Sequence, residues 1–249
     1  MVIIHREYNA PKTRPTTHYS IPNTQYPIRS IRMTVARSLE RRLERLIESM
    51  AGRMFSGRLH PAEMAGKLAR EADFARFNHP TGPATANVYV ILVNPRDLTM
   101  DSAELERLLE AEMYEYTAEE GLRLEGPVSI RITPSDETRP GRSTCHVEVA
   151  PGAPTVWARL VGSETYEIGR NRVAIGRSEE GDVVIPHDDI SRRHAILYRE
   201  KGQKWLWDIG SANGTWVDGV PVRTEPRLVQ QGATITLGGH KYRFLESDA

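Results

Sequence analysis

Gly176-Arg177-Ser178-Glu179-Glu180-Gly181-Asp182-Val183-Val184-Ile185-Pro186 is followed, three residues on, by Ile190-Ser191-Arg192-Arg193-His194-Ala195. Short apolar runs bounded by Gly, Asp and Ser leave no room for a helix and predict strands separated by tight turns. The same rhythm extends in both directions. Turn signals recur at Gly162-Ser163, Gly169 to Asn171, Lys201-Gly202, Asn213-Gly214, Asp218-Gly219 and Gly238-Gly239. Many short strands at close spacing predict an all-β sandwich over residues 155–249.

Upstream, Ala150-Pro151-Gly152-Ala153-Pro154 reads as a linker too short and proline-stiffened to let its flanks move far apart. Before it lies a region of different character, residues 33–149. Val35, Leu39, Leu43, Leu46, Ile47, Met50 and Met54 recur at spacings of three and four up to Gly57, a helix whose other face alternates Arg and Glu. Pro61 opens a second helix through Met64, Leu68 and Ala72, ending near Phe77, and Asn78 to Asn87 reads as a loop. Val88 to Val93 is a continuous apolar strand. Asp101 and Glu104 form a capping box for a third helix through Leu105, Leu109, Met113 and Tyr116, closed by Gly121. Two alternating strands follow, Val128/Ile130/Ile132 and Cys145/Val147/Val149. The expected fold class is an α+β domain in the order helix, helix, strand, helix, strand, strand, followed by the sandwich. Residues 1–32, interrupted by Pro11, Pro15, Pro22 and Pro27, read as a disordered arm.

Charge and composition exclude several function classes. The chain of 249 residues carries 33 Lys and Arg against 33 Asp and Glu, so it has no overall basic footprint for nucleic acid. Residues 33–154 hold 15 basic and 19 acidic side chains, and nucleic acid is not an expected partner. No apolar run approaches the roughly 18 residues of a membrane span, so direct insertion is not expected. A single cysteine, Cys145, rules out an internal disulfide and fits a reducing compartment, which gives a cytoplasmic expectation. No phosphate-loop Gly-Lys-Ser/Thr, HExxH or GxSxG motif is present. Cys145 beside His146 lies in phase with Val147 and Val149, which reads as a buried structural thiol rather than a nucleophile. The expectation is a protein that is not an enzyme, with no metal and no cofactor.

Gly176-Arg177, Asp182 to Pro186, Ile190 to Ala195, Trp207-Asp208, Gly210 to Thr215 and Val217-Asp218-Gly219 occur in an order that resembles the forkhead-associated (FHA) family across residues 155–249. The resemblance implies an eleven-stranded sandwich whose loops at one end bind phosphothreonine peptides without altering them. The residue types suit that task. A phosphothreonine carries about −1.5 to −2 charges and three acceptor oxygens, and the planar guanidinium of Arg177 can meet two of them. Ser191 can donate its hydroxyl proton to a third, with Arg192 adding positive potential and Arg193 a weaker candidate. Asn213 offers a donor and an acceptor to an extended peptide backbone. Gly176, His194 and Gly214 are expected as supporting scaffold, His194 by lying under the binding loops. Taken singly, Arg177 reads as a strand-end charge, Ser191 as a turn residue and Asn213-Gly214 as a hairpin turn. Ala212 stands where some family members carry a polar residue that adds a phosphate contact.

Leu39-Glu40-Arg41-Arg42-Leu43-Glu44 and His60-Pro61-Ala62-Glu63-Met64 resemble the N-terminal domain of FhaA-like bacterial proteins, though the short linker departs from the long low-complexity one common among them. That resemblance implies bacterial Ser/Thr kinase signalling linked to cell-wall synthesis or division. A Thr-phosphorylated kinase or its phosphorylated target is the implied partner, and it could recruit the protein to the membrane. The expected function is a phosphothreonine-dependent adaptor. The alternative makes the first domain an oligomerisation or RNA-contact module regulated by the second. Met33 stands where FhaA-like chains tend to begin, which makes the arm a candidate mis-assigned start. Alternatively Thr13, Thr16, Thr17 and Thr24 are kinase substrates that enter the chain's own pocket.

Overall fold

The computed structural model describes residues 61–98 and 102–247. The expected arm, the helix expected between Met33 and Gly57, and Asp101 of the expected capping box lie outside the described residues. Helix α1 (Pro61–Phe74) buries Met64, Ala65, Leu68, Ala69 and Ala72, a stripe at helical spacing. It stops at Phe74, short of the expected Phe77. The stretch expected as loop contains a ribbon instead, β1 (Phe77–His79) paired antiparallel with β2 (Gly82–Ala84). Strands of three residues are too short to register as an alternating pattern. The ribbon's turn depends on Gly82 at φ 127°, a region only glycine enters readily.

Strand β3 (Val88–Val93) is central in a three-stranded sheet, parallel to β4 (Ser129–Pro134) and antiparallel to β5 (Ser143–Glu148). Parallel neighbours need a crossover. Helix α2 (Ser102–Glu119) lies between them in sequence and packs Leu105, Leu109, Met113 and Tyr116 against Tyr89, Ile91 and Ile130. Among the described residues the helices cover one face, and the apolar run in β3 alternates, with Tyr89, Ile91 and Val93 buried and Val88, Val90 and Leu92 half-buried opposite. Strand β4 is an edge of this sheet, with N–H groups that no neighbouring strand takes up. Two α2 carboxylates cover it, Glu106 accepting from Ile132 N at 2.7 Å and Glu110 from Ile130 N at 2.9 Å. Cys145, expected as a buried thiol in phase with Val147 and Val149, is only half-buried. Cys145 packs against the core, while Val147 and Val149 are 38% and 37% exposed. Lys67 of α1 donates to Ser143 O, which places that helix over the start of β5.

From Ala158 to Glu246 the described residues form eleven strands in two sheets. One sheet, in spatial order, is β14 (Arg227–Leu228), β11 (Gln203–Asp208), β10 (Ala195–Glu200), β8 (Arg172–Gly176) and β9 (Val183–Val184). The other is β13 (Val220–Val222), β12 (Thr215–Val217), β15 (Thr234–Leu237), β16 (His240–Glu246), β6 (Ala158–Val161) and β7 (Thr165–Ile168). Leu160, Ile168, Ile175, Leu197, Leu206, Ile235, Leu237 and Phe244 fill the space between the sheets, and Trp157 meets Phe244 edge-on at 6.1 Å. The β10–β11 hairpin turns on Lys201 (φ 52°) and Gly202 (φ 71°), and β12–β13 on Asp218 (φ 51°) and Gly219 (φ 77°). Two successive positive φ angles are what a two-residue turn between twisted strands requires.

The two units are held together by more than the linker. Asn87 fixes the linker to the first unit, donating to Ala150 O at 3.0 Å and accepting from Ala150 N at 2.9 Å. Across the seam, Lys201 N donates to Glu119 O at 2.8 Å, Asn171 Nδ2 to Leu122 O at 3.0 Å and Arg199 Nη2 to the Tyr114 hydroxyl at 3.0 Å.

Candidate functional site

Strand β8 delivers Gly176 and then Arg177 to one end of the sandwich, where the loop before β10 carries Ser191 to Arg193. The two segments are tied by backbone bonds, Arg177 N to Ser191 O at 3.0 Å and Ser178 N to Arg192 O at 3.1 Å. Gly176 makes that approach possible, because a Cβ there would lie 2.2 Å from Arg192 O. The Arg177 guanidinium is oriented by Nε, which donates to Ile190 O at 3.2 Å, and its side chain stays 45% exposed with Asp188 at 3.6 Å. The Ser191 hydroxyl accepts from Ala212 N at 2.9 Å, so its own proton remains available to a ligand acceptor. Arg192 is exposed beside it, while Arg193 turns away and donates to Pro80 O at 3.3 Å.

The third segment is the loop from β11 to β12. Asn213-Gly214 is not a hairpin turn, since the two strands belong to different sheets. Gly214 takes φ 81°, and a Cβ there would strike the Trp216 ring at 2.7 Å. Asn213 is exposed and spends one amide N–H on Asp189 O at 2.9 Å, which leaves its carbonyl and second N–H for a ligand.

His194 sits beneath all three segments with no exposed surface. Its Nδ1 accepts from Ser191 N at 3.2 Å and its Nε2 donates to Gly214 O at 3.0 Å, a pairing that needs the neutral ring protonated on Nε2. Burial pushes its pKa below the ordinary imidazole value, against the raising effect of the Gly214 carbonyl and nearby Asp208. The site thus contains Arg177, Ser191, Arg192 and Asn213 at one rim, with Gly176, His194 and Gly214 shaping it from below.

Two residues given no role from the sequence also shape the rim. Asp208 accepts from the N–H groups of Gly210 and Ser211, each at 2.8 Å, and from the Ser211 and Thr215 hydroxyls, each at 2.6 Å. Burial opposes its ionisation, but these four donors outweigh it and hold the carboxyl below its usual range. Asp189 accepts from Gly239 N at 2.8 Å and pairs with His240 at 2.7 Å. An Asp two residues before Gly-Ser is a recognisable side-chain turn signal, whereas the partners of Asp189 come from a remote hairpin.

Cys145 lies far from this rim in sequence and fold, and burial pushes its thiol up to about 11, so at neutral pH it is protonated and a poor nucleophile. Among the described residues no group of three His, Cys, Asp or Glu side chains could hold a metal ion, and no helix is long and apolar enough to cross a membrane.

The FHA domain family matches residues 173–238, and the family "FhaA, N-terminal domain" matches residues 37–146. Similar sequences include the ABC transporter ATP-binding/permease protein Rv1747 of Mycobacterium tuberculosis, 38% identical over 77 residues, which is 31% of this chain and 9% of that protein. The oxoglutarate dehydrogenase inhibitor of Corynebacterium diphtheriae is 32% identical over 81 residues, covering 32% of this chain and 55% of that one. The match therefore spans a small part of the first relative and about half of the second. Among solved structures, the FhaA FHA domain complexed with the intracellular domain of Rv3910 aligns at 27% identity over 36% of this chain and 98% of that one, with a TM-score of 0.32. The chain joins an FhaA-type N-terminal domain to a C-terminal FHA domain.

Proposed function

We propose that this protein is a cytoplasmic adaptor that captures Thr-phosphorylated proteins through Arg177, Ser191, Arg192 and Asn213, without chemical change to the ligand. The observation that carries this reading is the pairing of a half-exposed, backbone-oriented guanidinium at Arg177 with a Ser191 hydroxyl whose proton is unspent. A dianionic phosphate with three acceptor oxygens satisfies both, and charge-assisted bonds of this kind are the strong ones. The FHA match supports the same ligand class, and the FhaA-type domain supports a setting of bacterial Ser/Thr kinase signalling at the cell wall or division site. A phosphorylated kinase or its phosphorylated target is the partner this implies.

Capture from a lysate of the native cell tests the reading, with and without prior phosphatase treatment and with mass spectrometry of what is retained. Proteins carrying phosphothreonine should be retained only from the untreated lysate, and equal retention from both would contradict the reading. Asn213→Ala should weaken phosphopeptide binding by roughly tenfold, the loss of one or two backbone hydrogen bonds at about 1 kcal/mol each. Binding of free phosphate should change little. Isothermal titration of both ligands checks this.

A further inference from the structure

Both segments that carry the phosphate-facing residues are braced from the other domain. Arg123, only 4% exposed, leaves the FhaA-type domain and grips Asp182 of the FHA domain with two parallel bonds, Nη1 to Oδ2 at 2.7 Å and Nη2 to Oδ1 at 2.8 Å. Its Nη1 also donates to the Arg172 carbonyl at the start of β8, and its Nε to Glu125 at 2.6 Å. Asp182 in turn clasps β8, accepting from Ala174 N at 2.8 Å and donating from its own N–H to Ala174 O at 3.0 Å. From Asp182 the chain runs into β9, which pairs in parallel with Ile175 and Gly176, the two residues before Arg177. Burial opposes the Asp182 charge, but the Arg123 guanidinium and the Ala174 N–H hold its carboxyl below the usual range. The second brace is separate. Arg193, two residues after Ser191, donates to Pro80 O in the turn between β1 and β2. Close packing beside it seats Arg172 of β8, where a Cβ on Gly82 would lie 2.8 Å from the Arg172 Nη1.

We propose that the FhaA-type domain is a working part of the phosphothreonine receptor, with Arg123 the positioning residue that sets β8 and hence Arg177 through Asp182. This rests on the binding role given above to Arg177 and Ser191. A rim held from both sides loses less freedom on meeting its ligand. By linkage, a protein that docks on the FhaA-type domain and shifts the seam changes phosphopeptide affinity, and bound phosphopeptide changes that docking by the same factor.

The test uses the full chain and a phosphothreonine peptide pool with randomised flanking positions. Arg123→Met should lower affinity about tenfold with circular dichroism unchanged. Arg123→Lys should recover part of the loss. Asp182→Asn should reproduce much of it, and the double variant should lose less than the two single losses combined, since both break the shared Arg123–Asp182 contact. Hydrogen exchange at the Arg177 and Ser178 amides, which tie the two rim segments, should quicken in Arg123→Met while Leu197 and Leu206 amides stay protected. Unchanged affinity and unchanged exchange in a folded Arg123→Met would overturn the proposal. Should Arg123→Met not fold, the nearly isosteric Asp182→Asn decides by the same two readouts. If the parent chain fails to bind the pool yet exchange still quickens, the bracing stands and the phosphothreonine reading falls.

Discussion

Arg177→Ala should cost roughly a hundredfold in affinity for a phosphothreonine peptide, about 3 kcal/mol. The guanidinium is held by its Nε on Ile190 O and is placed on a segment tied to Ser191 and Arg192, so its charged face is oriented before the ligand arrives. Removing it deletes one or two charge-assisted bonds, each worth about 1.5–3 kcal/mol. Arg177→Lys should recover only part of the loss, because an ammonium is a point charge and cannot span two phosphate oxygens. Fluorescence anisotropy with a labelled phosphothreonine peptide measures this. Full affinity in Arg177→Ala would remove the residue from the site. The side chain is nearly half exposed, so its loss should leave the melting temperature within a degree or so of the parent.

His194→Ala is expected to do the opposite, lowering stability by about 2–4 kcal/mol. The ring is completely buried and its two nitrogens pair with Ser191 N and Gly214 O. Truncation leaves a cavity and strands the Ser191 N–H, while Gly214 O keeps only the Gly238 N–H at 2.9 Å; a cavity and an unpaired buried donor are each costly. Thermal unfolding followed by circular dichroism should show a clear fall. A variant that melts normally but no longer binds would show that His194 touches the ligand instead. The same residue sets a pH dependence. Its folded pKa lies below the ordinary value because burial disfavours the charged ring, so the unfolded chain takes up a proton first as the pH drops. The stability it contributes is complete above about pH 6.5 and is lost as the pH falls from there through the folded pKa. The parent's melting temperature should decline in that window, and in His194→Ala that part of the decline should vanish.

The sandwich was legible because its signals are local. Lys201-Gly202 and Asp218-Gly219 take the paired positive φ angles that tight hairpins demand, and turn chemistry of this kind is written in adjacent residues. The rim residues were legible through their order along the chain, which placed Arg177, Ser191 and Asn213 on separate loops that the fold then brings to one end. Other features depend on partners far away in sequence. Asp182 reads as the residue before a strand, and only the fold sets Arg123 against it. Asp189 reads as loop acid until the Gly239 N–H and His240 arrive from another hairpin. Periodicity overran at two places, extending α1 to Phe77 and burying Val147 and Val149. An apolar side chain reports a preference for cover, but whether a neighbouring helix supplies that cover is settled by packing.

The central claim is that the rim of Arg177, Ser191 and Asn213 recognises a phosphate on threonine within a peptide. It is tested most directly by titrating the full chain with one peptide in three forms, carrying phosphothreonine, threonine or phosphoserine, in a single buffer at pH 7.5. The account predicts saturable one-to-one binding of the phosphothreonine form, at least a hundredfold weaker binding of the threonine form, and loss of the phosphothreonine signal in Arg177→Ala. Equal binding of the phosphothreonine and threonine forms would contradict it.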